Sequence, residues 1–234
     1  RSRTLRTWGS SESRVAEMLA GRLDELDRAG HATIAFLASG IEGMKVRITA
    51  KARTAEEVDA ILEIEVGEVA GILGDLVFTR DDQSMEAVVL DLLRRRGSTI
   101  ATAASVTGGM IAARLTGVPG ASDVVRGGVV SYASEVKHDV LGVPEGPVVT
   151  EAAAAAMAEG VCRVLGADVA VSVTGAAGPD AQEGVPPGTV YFASVVDGAT
   201  EVGMVRMPGD RERVRQFAVI TVLDHLRRRL LAEG

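Results

Sequence analysis

The chain has 234 residues, enough for one large domain or two modest ones, each with its own core. With 47% hydrophobic and 24% charged residues it does not have the composition of a disordered chain, and no apolar run approaches the ~20 residues of a membrane span. Its formal net charge is −7, and its two basic runs, Arg94-Arg95-Arg96 and Arg227-Arg228-Arg229, fall near the ends of helical patterns, where they read as solvated helix ends and not as a nucleic-acid surface. A single cysteine, Cys162, excludes an intramolecular disulfide and a cysteine-based metal cluster, and its place in a helical run predicts a packed thiol. No signal peptide is visible, so a cytoplasmic location is expected, although the chain opens on Arg1-Ser2-Arg3 without a Met, which is consistent with removal of either a preceding domain or a tag and weakens that expectation.

In chain order, Arg3–Trp8 predicts a strand, and Ser11 or Ser13 caps a helix running to about Ala29, where Gly30 ends it. Thr33–Ala38 and Met44–Ala50 predict two strands joined through Ser39-Gly40-Ile41-Glu42-Gly43. Thr54 and Glu57 form a capping box, because each side chain can satisfy the other's free backbone N–H. The helix that follows carries Val58, Ile61, Leu62, Glu65, Val69 and Ile72 at helical spacing and ends near Gly74, before a short strand over Leu76–Thr79. The order β-α-β-β-α-β predicts a small ferredoxin-like α+β domain over residues 1–80. Gly40-Ile41-Glu42-Gly43 matches the GxxG of KH domains, but it joins strands, and Glu42 would repel a phosphate backbone, so a turn is expected and not RNA binding.

Asp81-Asp82-Gln83-Ser84 is a polar junction, and a second domain is expected over residues 84–234. A helix from Met85 to Gly97 is followed by strand-like Ile100–Ala104, helical Gly109–Leu115, a strand over Gly127–Tyr132 and a short helix over Ser134–Leu141. Thr150 caps an alanine-rich helix from Glu151 to Leu165. Val169–Val173, Val190–Val195 and Val202–Met207 predict strands, and Asp210–Leu231 a last helix. Such alternation predicts a layered α/β sandwich with a largely parallel sheet.

Three clusters could carry chemistry. Ser105-Val106-Thr107-Gly108-Gly109 places a small nucleophile where a strand turns into a helix, with the N–H groups of Thr107, Gly108 and Gly109 available to an oxyanion or a phosphate; it could equally be only a tight turn. Gly128-Val129-Val130-Ser131-Tyr132 ends the next strand, and Lys137 follows about one helical turn later. A serine needs a base, and His31, His138 and His225 are not obviously placed to serve, whereas a desolvated lysine can. Tyr132 could relay a proton, but on the residues alone Lys137 reads more readily as a surface lysine than as a base. Thr174-Gly175-Ala176-Ala177-Gly178-Pro179 ends a strand in a glycine-bearing loop suited to close approach by a phosphate or ribose.

Taken in order, Ala103-Ala104-Ser105-Val106-Thr107-Gly108-Gly109, Gly128 to Tyr132 with Lys137, and Val173-Thr174-Gly175-Ala176-Ala177-Gly178-Pro179 resemble the CinA C-terminal domain and the nicotinamide-nucleotide amidohydrolases. The upstream region resembles the linker domain of CinA, which there follows a molybdopterin-binding-like domain that this chain lacks. The resemblance implies a three-layer α/β/α sandwich preceded by a ferredoxin-like or KH-like domain. It further implies a small-molecule nucleotide substrate, no nucleic-acid or membrane partner, and a homo-oligomer, with a dimer suggested by the family. The implied activity is hydrolysis of the carboxamide of nicotinamide mononucleotide, with no metal and no organic cofactor expected. Ser105 would be the nucleophile, Lys137 the base and Tyr132 an assisting group, while Thr107, Gly108, Gly109, Thr174, Gly175 and Gly178 would contact substrate. One departure stands out: Ala104 occupies the place of a family glutamate. If that carboxylate orients the lysine or the substrate, the chain would instead be a nucleotide-binding or assembly module with impaired catalysis. The loop Asp180-Ala181-Gln182-Glu183-Gly184-Val185 also departs from the family's glycine- and lysine-bearing form.

Overall fold

The computed structural model describes residues 1–38 and 40–232, which form two compact units dividing between Val88 and Val89. Ser39, part of the expected hairpin connection, lies outside the described residues.

The first unit holds β1 (Ser2–Thr7), α1 (Glu12–Met18), α2 (Ala20–Ala29), β2 (Ala32–Ala38), β3 (Met44–Ala50), α3 (Ala55–Leu73) and β4 (Val77–Thr79). The sheet order is β2-β3-β1-β4 with all three pairings antiparallel, the arrangement that the β-α-β-β-α-β order predicts. Ser11 caps α1 and the Thr54–Glu57 capping box opens α3. The single helix expected from Ser11 to Ala29 is instead two, because the chain leaves helical geometry at Leu19, whose buried side chain packs in the core. That core gathers Leu5, Val15, Leu26, Val46, Ile48 and Leu62. Glu65 of α3 is 2% exposed yet fully engaged, by a two-pronged contact from Arg22 at 2.7–2.9 Å and by His31 Nε2 at 3.2 Å. The Glu65 carboxylate in turn raises the pKa of the Arg22 guanidinium, against the opposing effect of burial.

Gly40–Glu42 form one 3-10 turn between β2 and β3. Gly43 then passes so close to β1 that a Cβ there would sit 2.6 Å from the Thr7 carbonyl oxygen, and its φ is +79°. Glycine is thus needed for packing at the second glycine of the GxxG pattern. Glu42 is paired with Arg6 at 2.9 Å.

α4 (Met85–Arg96) contains the division between the units. The second unit continues with β5 (Ile100–Ala104), α5 (Met110–Thr116), β6 (Val125–Val130), α6 (Ser134–Leu141), α7 (Glu151–Leu165), β7 (Val169–Ala176), β8 (Thr189–Val196), β9 (Ala199–Arg206) and α8 (Arg211–Ala232). Its sheet runs β6-β5-β7-β8-β9. The β6–β5 and β5–β7 pairings are parallel, but β7–β8 and β8–β9 are antiparallel, so the sheet is mixed where a largely parallel one was expected. The reason is local. The β7–β8 and β8–β9 connections carry no helix, and a chain that turns back directly must pair antiparallel.

Helix α7 crosses one face of this sheet, with α6 beside it, and α5 and α8 cover the other, giving three layers. Small residues at the α7 interface, Ala101, Ala103, Ala154, Ala158 and Ala170, let helix and sheet approach closely. The second arginine run also differs from expectation. Arg227 and Arg229 are only 4% and 5% exposed: Asp224 pairs with Arg227 from one turn earlier at 2.8 Å, and Arg229 donates to the Ser194 carbonyl at 2.9 Å. α8 therefore uses cations inside the packed layer, where partners offset their desolvation. Among the described residues no helix is long and apolar enough to cross a membrane.

Candidate active site

Strand register decides what lies on each face. Ala101 and Ala103 pack in the cluster with Leu141 of α6 and Met157 of α7, so odd positions of β5 face that layer. Even positions face α5: a Cβ on Gly128, the partner of Thr102, would lie 3.3 Å from Ala112 Cβ. The ladder runs on past the strand ends, with Ser105 N donating to the Val173 carbonyl and Ser131 N to the Ala104 carbonyl, each at 2.9 Å. Ser105 and Ser131 therefore fall on the α6/α7 side at the C-terminal edge of the parallel strands, and Ala104 falls on the opposite side. Ser105 is partly exposed, whereas Ser131 is fully buried and its hydroxyl makes no hydrogen bond among the described residues.

Lys137 enters the same layer from α6. It and Leu141 are the buried residues of that helix, four apart and hence on one face, and Leu141 packs on β5. Lys137 is 1% exposed, and its ammonium makes no hydrogen bond or ion pair among the described residues. Burial pushes its pKa below the usual lysine range, and the negative charges of Glu183 and then Glu135 act in the opposite sense. The surface-lysine alternative is thus excluded by geometry.

The turn after Ser105 is built from glycine. Gly108 and Gly109 have φ of +59° and +89°, and a Cβ on Gly109 would meet Val130 Cγ2 at 3.0 Å. Gly108 N, expected to face a ligand, is committed to the Ser105 carbonyl at 2.9 Å, which closes the turn. The amides of Thr107 and Gly109 make no hydrogen bond among the described residues, so they are the groups left to receive an oxyanion. Thr107 is itself buried, with an unpartnered hydroxyl, and Arg215 of α8 braces the turn by donating to the carbonyls of Val106 and Thr107 at 3.1 and 3.3 Å.

Tyr132 was expected to end its strand, but β6 stops at Val130 and Tyr132 lies in the loop beyond it, 61% exposed. Its hydroxyl accepts a hydrogen bond from Arg211 Nη2 at 2.7 Å, and Arg211 Nη1 donates to the Gly178 carbonyl at 3.0 Å. Arg211 thereby ties the β6–α6 loop, the β7–β8 loop and the start of α8 together. Gly178 (φ +95°) precedes a cis proline, Pro179, in that loop. Thr174 and Gly175, expected at the substrate, are instead buried within β7. The Thr174 hydroxyl donates to the Val148 carbonyl at 2.8 Å, and a Cβ on Gly175 would be 2.6 Å from the Thr189 carbonyl oxygen of β8.

Sequence reasoning assigned no role to Arg211, Arg215, Ser131 or Glu183. Glu183 Oε2 accepts from the amides of Val148 and Val149 at 2.8 and 3.0 Å, bringing the β7–β8 loop onto the segment between α6 and α7. The histidines are otherwise engaged: His31 with Glu65, His138 Nδ1 with the Val143 carbonyl at 2.8 Å, and His225 Nε2 with Ser194 Oγ at 2.9 Å. Burial lowers the His225 pKa, and it raises that of the Cys162 thiol, with Asp168 and Glu159 adding to the latter. Among the described residues no group of three or more His, Cys, Asp or Glu side chains is placed to hold a metal ion.

Comparison with known proteins agrees with this layout. Residues 82–230 match the model of the CinA C-terminal domain, and residues 2–79 that of the damage-inducible protein CinA KH domain. A CinA-like protein of Frankia casuarinae is 48% identical over 97% of this chain and 54% of its own length. A putative competence-damage inducible protein of Acetivibrio thermocellus is 41% identical over 97% of this chain and 55% of its own. The chain thus spans about half the length of the curated relatives it matches. Among solved structures, the competence damage-inducible protein A of Klebsiella pneumoniae superposes with a TM-score of 0.62 at 36% identity, covering 64% of this chain and 97% of its own. With both units matched in order and the Ser105 segment inside the larger match, the chain belongs to the CinA family.

Proposed function

We propose that the second unit is an amidohydrolase that converts nicotinamide mononucleotide to the acid mononucleotide and ammonia, as part of pyridine nucleotide recycling. The observation that carries this reading is Lys137: a lysine enclosed without a charged partner in bonding distance, on the same sheet face as the partly exposed Ser105. Such a lysine can be neutral near neutral pH and accept a proton. Ser105 Oγ attacks the carboxamide carbon while Lys137 Nζ takes the hydroxyl proton, and the oxyanion turns to the amides of Thr107 and Gly109. Collapse breaks the C–N bond, and Lys137 returns the proton to the leaving ammonia. Water then attacks the acyl-serine with Lys137 again as base, releasing the carboxylate and restoring Ser105. Tyr132 and Arg211 border the site from the loop side, where a phosphate or ribose can be met by the guanidinium. No metal or organic cofactor enters these steps. Ammonia release from nicotinamide mononucleotide tests the reading: Ser105→Ala should abolish it, Lys137→Met should lower it by about a hundredfold or more, and turnover unchanged in Ser105→Ala would overturn the mechanism.

A further inference from the structure

Glu183 is a loop residue at φ +53°, followed by Gly184, yet its carboxylate is the acceptor for two consecutive backbone amides, Val148 and Val149. Those amides belong to the segment that links α6 to α7. The same segment is held from the sheet by Thr174 and from α6 by Val143 N donating to the Lys137 carbonyl at 3.0 Å. Val143, Val148 and Val149 are all buried. The strand below offers Lys137 no charge, since Ser105, Ser131 and Thr174 are neutral. Ala104 lies on the far side of the sheet.

We propose that Glu183 is a positioning residue for Lys137: pinned on the Val148 and Val149 amides, its carboxylate clamps the β7–β8 loop over the segment following α6 and keeps the lysine enclosed beside Ser105. The site therefore draws its carboxylate from a loop about eighty residues beyond Ser105 in the sequence. The catalytic consequence rests on the Ser105–Lys137 reading above; the effect on Lys137 itself does not.

The clamp acts on Lys137 in two opposed ways. The enclosure it supports disfavours the ammonium, and the Glu183 charge favours it; burial as a whole is the largest influence on Lys137. Other charges around Lys137 are Glu135 and His138 on its own helix, Glu145 beyond it at 3.8 Å from His138 Nε2, and, on α7, Glu151 in the first turn and Arg163, which donates to the Leu141 carbonyl. Glu183→Gln keeps an oxygen that can accept both amides but removes the charge. Glu183→Ala removes both, and Glu183→Asp keeps the charge on a side chain too short for the clamp.

The chain has three lysines, Lys45, Lys51 and Lys137, so ¹³C/¹⁵N-lysine NMR resolves each titration, with Lys137→Met supplying the assignment. The expected result is that Glu183→Gln lowers the Lys137 pKa relative to the parent while Glu183→Ala and Glu183→Asp raise it, with Lys45 and Lys51 unmoved. Slow exchange of the Val148 and Val149 amides should survive in Glu183→Gln. Should Glu183→Ala fail to fold, the Gln and Asp variants still give opposite signs. The proposal is overturned if all variants shift Lys137 in one direction or if none shifts it. With nicotinamide mononucleotide as substrate, the acidic limb of kcat/KM should move with the NMR pKa. Opposite NMR shifts without any turnover in the parent protein would overturn the deamidase reading and leave the clamp standing.

Discussion

The Tyr132 hydroxyl accepts a 2.7 Å hydrogen bond from Arg211, a residue 79 positions away that also holds the Gly178 carbonyl. Tyr132 is therefore placed by α8 and the β7–β8 loop together, and not by the end of its own strand. Because the pair is exposed, it contributes at most about 1 kcal/mol to stability. Its effect on a bound substrate is larger, since loosening a positioned group can cost up to about a hundredfold in rate. Arg211→Ala should lower kcat/KM by roughly tenfold while leaving the thermal midpoint within experimental error. Arg211→Lys should not rescue it, because an ammonium cannot reach both acceptors in the fork geometry. Steady-state kinetics on the two variants check this.

The pH dependence follows from the sign of the Lys137 shift. Burial lowers its folded pKa below that of the unfolded chain, so between the two values the unfolded state binds more protons and stability rises with pH. That contribution is fully present above the unfolded lysine value and is lost as pH falls through the folded pKa. Activity should rise over the same lower limb, as the neutral amine becomes populated. Lys137→Met should flatten both curves, and it should lower turnover by about a hundredfold or more, the usual weight of a general base. Urea denaturation across pH, run beside kcat/KM, makes the comparison.

Much of this was legible in the chain. The Thr54–Glu57 capping box, the glycines after Ser105 and the Thr150 cap are local signals, and each element starts or turns where they place it. Long-range partners were not. Glu183 and Val148 are 35 residues apart, and nothing at either position signals a clamp, because a loop glutamate usually reads as solvated. The helix break at Leu19 escaped for a related reason. Gly21 lies just beyond the break, but a lone glycine inside a helical pattern is commonly tolerated, and the shared core of Val15, Leu19 and Leu26 cannot be read from the linear pattern. Arg227 and Arg229 looked like helix-end cations because a linear pattern cannot show that Asp224 and the Ser194 carbonyl await them.

Ala104 bears directly on whether the site is competent. Its side chain is 1% exposed and lies on the side of β5 away from Lys137, so a glutamate there would not be a base for Ser105. Burying a carboxylate at so enclosed a position should lower the urea midpoint; in the folded protein Ala104→Glu should nonetheless leave the pH profile of kcat/KM in place and change its plateau by less than about threefold. A tenfold gain would instead mark the parent protein as catalytically impaired. The pH–rate profile of the single variant decides between the two.

The GxxG segment should not retain RNA. Glu42 is spent on Arg6, Gly43 is packed against β1, and the chain carries a net charge of −7, so no cation is presented to a phosphate backbone by that turn. Filter binding with single-stranded RNA at low salt should show no retention above a neutral control. Binding that weakens steeply with salt, and that is lost in Gly40→Asp, would contradict this.

Gly160 links packing to chemistry. It lies in α7 under the end of α6, and a Cβ there would stand 2.0 Å from the Leu141 carbonyl oxygen, a backbone atom that cannot rotate aside. Leu141 ends the helix that carries Lys137, and Arg163 of α7 already donates to the same carbonyl at 3.0 Å. Gly160→Ala must push α6 away from α7. Overpacking of this kind costs about 1–3 kcal/mol, more than alanine's better helix propensity of about 1 kcal/mol returns. The displaced helix should also admit water to Lys137 and raise its pKa, because desolvation is the largest influence upon it. The expected outcome is a lower urea midpoint together with an acidic limb of kcat/KM moved to higher pH. Gly71→Ala in α3, where a Cβ meets nothing within 4 Å, serves as the control: it should raise the urea midpoint through helix propensity and leave the acidic limb unmoved.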